Sequence, residues 1–162
     1  MDSIAIMLPL AISIGASACT IFVHALAFNA TIHFVRHERR IGRAGARFSI
    51  DVAMVAVVVV IALAAHLIEI ALWAILFEIC GEFRDLATSF YHSAMNYTTL
   101  GYGDIVMSRR WRLLGPLEAA DGMLMFGVST ATIFAVIQQL VQTRFADLEA
   151  RASDLAAGRT SK

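Results

Sequence analysis

The chain has little charge. Only 16% of its 162 residues are Asp, Glu, Lys or Arg, where a soluble domain carries about 25%. Of the 13 basic residues, only Lys162 is a lysine. Acids and bases balance to zero net charge, which removes any bulk electrostatic case for a nucleic-acid partner. There are two cysteines. Cys19 and Cys80 lie in or beside apolar runs, lack metal-ligand spacing and read as buried thiols. No nucleophile elbow, phosphate loop or metal-ligand motif is present, and no internal repeat is evident. The expectation is therefore a non-enzyme with no cofactor and no small-molecule substrate.

Long apolar runs are what the chain has instead. Ile4 to Val35 contains no Asp, Glu, Lys or Arg; Val52 to Leu76 contains one acid, Glu69; Leu113 to Val141 contains Glu118 and Asp121. Each run reaches the roughly 20 residues that cross about 30 Å of hydrocarbon. The fold class is an all-α integral membrane protein with three transmembrane helices and a shorter insertion between the second and third. The expected segments are an N-terminal helix over 1–35, a basic loop over 36–50 and a second helix over 51–80. The insertion takes 81–112, the third helix 113–143 and a short helical tail 144–162. The first run is read as a retained helix and not a cleaved leader: Asp2 leaves no positive n-region, and the run continues well past Cys19.

Arginines orient the chain. Arg36, Arg39, Arg40, Arg43 and Arg47 crowd one loop, which the positive-inside rule makes cytoplasmic. The N-terminus then lies outside and the C-terminus inside. Arg84, Arg109, Arg110 and Arg112 fall on the outer side against the rule, but reversal exposes more arginines, not fewer. The excess of arginine over lysine, with abundant alanine, hints at a GC-rich bacterial genome and hence a bacterial inner membrane.

The insertion holds the most specific signal. Leu86, Phe90, Ala94 and Tyr97 recur at helical spacing, over a stretch too short to span. A short helix followed by glycine-broken backbone fits a re-entrant loop, because such backbone is tolerated at membrane depth only if buried in protein or lining water. A helix C-terminus aimed inward favours a cation. The string that follows, Thr98-Thr99-Leu100-Gly101-Tyr102-Gly103-Asp104, resembles the selectivity filter of the tetrameric potassium channels. The helix–filter–helix resemblance covers roughly residues 50–145.

That resemblance implies a homotetrameric pore, with the bilayer and its own copies as partners, that passes K+ passively. The carbonyls of Thr99, Leu100, Gly101 and Tyr102, with the Thr99 hydroxyl, would replace the ion's hydration shell. Gly101 and Gly103 would supply backbone conformations that other residues avoid, and the Leu100 and Tyr102 side chains would face away into packing. Leu100 stands where the family has a β-branched residue, which loosens the expected filter stiffness. Behind the filter, family tryptophans are replaced by Tyr91 and His92, and a Tyr91–Asp104 hydrogen bond is expected. Met95 occupies the place of a buried glutamate found in some members. A weakly selective or non-selective cation channel is the alternative. A non-conducting membrane sensor or assembly protein is a third.

The third helix is expected to start near Leu113–Gly115, with Pro116 in its first turn and Glu118 serving the helix dipole there. Asp121 lies deeper, where an acid is costly without water or a partner. It is expected to concentrate cations in the cavity or to hold a subunit contact. Gly122 and Gly127 are candidate hinges or close-packing points. Ser129, Thr130 and Thr132 would wet the lower cavity or bond their own backbone. Val141, Phe145, Leu148, Ala152 and Leu155 follow a heptad seam, the pattern of a short parallel bundle. The first helix lacks a voltage sensor's repeated arginines and is expected to be peripheral. His66 and Glu69 share a face of the second helix. With His24 and Asp121 they are candidates for an intramembrane pH sensor; a satisfied interhelical polar contact and a metal site from the same residues are the alternatives.

Overall fold

The computed structural model describes residues 2–45 and 47–160. Four helices account for nearly all of them: α1 Asp2–Arg40, α2 Phe48–Ile79, α3 Leu86–Tyr97 and α4 Leu114–Thr160. There is no strand among the described residues. Three segments, Ile6–Arg40, Phe48–Ile79 and Leu114–Ala150, are long and apolar enough to cross a membrane. The protein is an all-α membrane protein. The segment boundaries differ from expectation where helix breakers are missing. α1 runs through Arg36, Arg39 and Arg40 and ends only before Gly42, whose φ of 71° no helix accepts. The basic connection is thus 41–47 and not 36–50. α4 continues from the expected third helix straight into the tail without a break.

The three long helices each contribute to two compact units. The first holds α1 to Ala27, and Ala62–Ser129 with the whole of α3. Its core is aromatic. Ile70, Trp73 and Phe77 of α2 meet Tyr97 at the end of α3, Trp111 in the following loop, and Leu114 and Met125 of α4. Ile12 and Ala16 of α1 pack onto this core. Gly122 is where α4 passes closest: a Cβ there would lie 2.2 Å from the Tyr97 carbonyl oxygen. Its role is close packing inside an unbroken helix. Gly127 meets nothing within 4 Å.

The second unit comprises Phe28–Ile61 and α4 from Thr130. Val35, Ala44, Met54, Val58, Val136 and Leu140 form its core. The connection is locked by Asp51 in the first turn of α2. Its carboxylate accepts the Gly45 N–H at 2.9 Å and sits 3.4 Å from Arg144, whose guanidinium lies over the Phe48 ring. On the heptad positions, Val141, Phe145 and Leu148 are exposed in the single chain; the side chains of Ala152 and Leu155 lie outside the described residues. Cys80 is partly buried, but Cys19, expected inside, is exposed on α1. On a helix apolar all round, a thiol suits lipid as well as core.

Gly122→Ala is expected to be poorly tolerated. The new methyl must displace backbone and not a flexible side chain, an overpacking cost of about 1–3 kcal/mol or more. A thermal melt in detergent, compared with Gly127→Ala, checks this; equal melts would exclude the close approach.

Candidate functional site

α3 begins where Asp85 takes an extended conformation (φ −140°, ψ 145°) and its carboxylate accepts the Thr88 N–H at 2.8 Å. This is an N-cap that satisfies one otherwise orphaned donor. The N–H groups of the first turn hold the exposed Asp85 carboxyl below the usual carboxylate range. Twelve residues later the helix ends at Tyr97, after about 18 Å of rise. The backbone then winds tightly rather than leaving. Thr98 N–H bonds the Ala94 carbonyl, Thr99 N–H the Asn96 carbonyl, and Gly101 N–H the Met95 carbonyl. The Thr98 hydroxyl also donates to Ala94, at 2.6 Å.

Across the next residues the hand of the backbone alternates. Thr99, Gly101 and Gly103 have φ of 62°, 53° and 75°, while Leu100 and Tyr102 between them do not enter the positive-φ region. Such alternation turns successive carbonyls to the same side. Thr99 is the only non-glycine with positive φ among the described residues. For a β-branched residue this is real strain, on the order of 1–3 kcal/mol, of the kind that clusters at functional sites. The Leu100 and Tyr102 side chains, expected in packing, are 54% and 72% exposed in the single chain. No element of the same chain covers them.

The support behind this loop comes from three directions. The Tyr91 hydroxyl donates to Asp104 at 2.8 Å, and the carboxylate pushes the phenol above its usual range. His92 is buried against Phe77 and Phe83, which pushes its imidazole down, and its Nε2 has no hydrogen-bond partner. Met95 borders a cavity of about 450 Å³ beside Gly101 and Asp104.

The third support is a correction. Glu118, expected in the first turn serving the helix dipole, lies past that turn and is fully buried, with Oε1 2.5 Å from the Ser93 hydroxyl of α3. Ser93 Oγ also lies 2.8 Å from the Ile70 carbonyl of α2. A hydroxyl has one proton and cannot donate to both. A protonated carboxyl satisfies both contacts, donating to Ser93 while Ser93 donates to Ile70. A buried acid therefore stands behind α3 after all, delivered by α4 and not by α3 itself. Chain position alone could not show this.

Asp121 is likewise not a cavity charge. It is 4% exposed and is held within one chain by the Thr20 hydroxyl of α1 at 2.8 Å and the Trp73 indole N–H of α2 at 3.0 Å. It does not join His66 and Glu69. Those two meet His24 of α1 instead. His24 Nδ1 lies 3.0 Å from Glu69 Oε1, and His66 Nδ1 lies 3.1 Å from Glu69 Oε2. The Tyr97 hydroxyl donates to Glu69 and stands 3.0 Å from His66 Nδ1. Ser129, expected to wet the cavity or bond its own backbone, is buried; its hydroxyl lies 3.1 Å from His24 Nε2 and 3.0 Å from His66 Nε2. Sequence reading placed His24, His66 and Glu69 as candidates; it used Tyr97 only as a helical-repeat position, left Ser129 between cavity and backbone, and gave Thr20 and Trp73 no role. Through Thr20 and His24, α1 is bonded into the buried faces of α2 and α4.

A family model described as "Ion channel" matches residues 53–139, from within α2, through α3 and the strained loop, into α4. Comparisons with curated proteins and with solved structures return no match.

Glu118→Gln, which keeps a donor for Ser93, is expected to melt close to the parent. Glu118→Ala leaves the buried Ser93 oxygen without its donor and loses roughly 1–3 kcal/mol. Equal losses in both variants would contradict the proton assignment. For Asp85, whose pKa is lowered by folding, the cap's stabilisation is present above the ordinary carboxylate pKa and lost as pH falls through the lowered value. Melts from about pH 7 to about pH 3 should show an acid-dependent component that Asp85→Asn lacks.

Proposed function

Because the chain belongs to the ion channel family, whose model covers residues 53–139, we propose that it forms a homotetrameric pore that conducts K+ passively. The observation that carries this reading is the alternating backbone of Thr99 to Gly103 at the C-terminal end of a capped, non-spanning helix. The carbonyls of Thr99, Leu100, Gly101 and Tyr102 are the proposed K+ ligands, with the Thr99 hydroxyl below them. Gly103 completes the turn, and the Tyr91–Asp104 bond braces the loop from behind. The partial negative end of α3 adds to the attraction for a cation.

One such loop cannot enclose an ion. Four chains about an axis are the proposed assembly, and the exposed Leu100 and Tyr102 side chains give neighbouring chains a surface to cover. Exposed Val141, Phe145 and Leu148 on α4 suit contact between tails. The proposed location is a bacterial inner membrane, with the N-terminus outside and the arginine-rich connection in the cytoplasm. The second reading, weak cation selectivity, is favoured by Leu100, which replaces a β-branched residue at the filter and lowers its stiffness.

The test is a reversal potential in a planar bilayer with K+ on one side and Na+ on the other. A value close to the potassium equilibrium potential is expected. A clear current reversing near zero would replace this reading with the non-selective one. Gly103→Ala, which forces a side chain onto φ 75°, is expected to abolish K+-selective current while leaving the oligomer intact on a sizing column.

A further inference from the structure

We propose that His24, His66 and Glu69 form a binding site for a divalent transition-metal ion of the Zn2+ class, with Ser129 and Tyr97 as its supporting shell. The ligand atoms of the three residues lie within 4.8 Å of one another, and all three residues are buried. The two imidazole nitrogens stand 3.0 and 3.1 Å from the two carboxylate oxygens. Tetrahedral coordination with Zn–N and Zn–O bonds of about 2.0–2.1 Å separates neighbouring ligands by about 3.3 Å. A small opening of the cluster therefore admits the ion. Two imidazoles with one carboxylate select a borderline ion such as Zn2+ or Co2+ over Ca2+ or Mg2+, which take oxygen-rich shells.

The arrangement of the rings is the strongest argument. Both histidines turn Nδ1 to Glu69 and Nε2 to the Ser129 hydroxyl. With both rings neutral and no metal, this matched pair is treated unequally. Ser129 has one proton, so it donates to one Nε2 and accepts from the other. With both Nδ1 atoms on a metal, the two rings become equivalent. Each is neutral and donates Nε2–H to one lone pair of Ser129, the outer contact that orients metal-bound histidines. The Tyr97 hydroxyl, donating to Glu69, fixes the ligand carboxylate in the same way.

Charge and position agree with this. Glu69 supplies one negative charge. Asp121, eight residues before Ser129 on α4, supplies another when it accepts from Thr20 and Trp73. A divalent ion then leaves this buried region neutral, where an uncompensated charge is costly. The ion would join α1 to α2 directly, and α3 and α4 through Tyr97 and Ser129. Since Tyr97 immediately precedes Thr98, the site adjoins the base of the proposed filter.

The test is metal content, which does not depend on conduction. The untagged chain is purified in detergent from cells grown with added Zn2+, and separately with Co2+. Expected are about one ion per chain by elemental mass spectrometry and, with Co2+, a visible absorption that the metal-free chain lacks. Replacing the exposed His33 and His37 by Gln should change neither. His66→Gln should lose the ion and the absorption. Ser129→Ala, which keeps all three ligands, should bind roughly 10–100-fold more weakly on Zn2+ titration. If the parent chain, intact by sizing and circular dichroism, carries no more metal than His66→Gln, the proposal is overturned and the cluster is held by protons alone.

Discussion

Where Tyr97 stops α3 decides most of what surrounds the strained loop after it. Its ring is fully buried in the aromatic core, its hydroxyl donates to Glu69 of α2, and its carbonyl lies where a side chain at Gly122 of α4 would have to sit. A short helix of twelve residues has little stability of its own. It holds its depth because its last residue is bonded to one long helix and pressed against another. The backbone that departs from Tyr97 then has no freedom to drift, and the strain at Thr99 can be stored.

The three buried acids follow one logic. In hydrocarbon an unpaired donor or acceptor has no water to turn to. Glu69, Glu118 and Asp121 are each met by partners from other helices: His24, His66 and Tyr97; Ser93; Thr20 and Trp73. These contacts give the otherwise featureless apolar helices a register. α1 shows this best. Its surface is apolar on every side, so burial alone would let it rotate or slide. Thr20 and His24 leave it one rotation and one height.

The second unit uses a different device for a similar end. Gly42 stops α1, Gly45 turns the chain close to Thr143, and Asp51 collects the Gly45 N–H and the Arg144 guanidinium. A seven-residue connection is thereby held on both sides, and the excess arginines of this end are partly matched. Exposed Arg43 approaches the partly buried Glu38 at 3.7 Å, a long contact of small consequence.

By itself the sequence determined the three long helices, the short one between them, and the strained loop. Each is written in local patterns: runs of about 20 apolar residues, a helical repeat from Leu86 to Tyr97, two glycines in a fixed order with hydroxyls. It also marked His24, His66, Glu69 and Asp121 as unusual, since charge in an apolar run is costly wherever it falls. Only the tertiary structure decided which of these groups meet. Asp121 went to Thr20 and Trp73, 101 and 48 residues away along the chain, while Glu118 crossed to Ser93, 25 residues off. The rotation of one helix against another sets such pairings, and that rotation is fixed by side chains from all the packed helices together. A pattern read along one helix does not contain it.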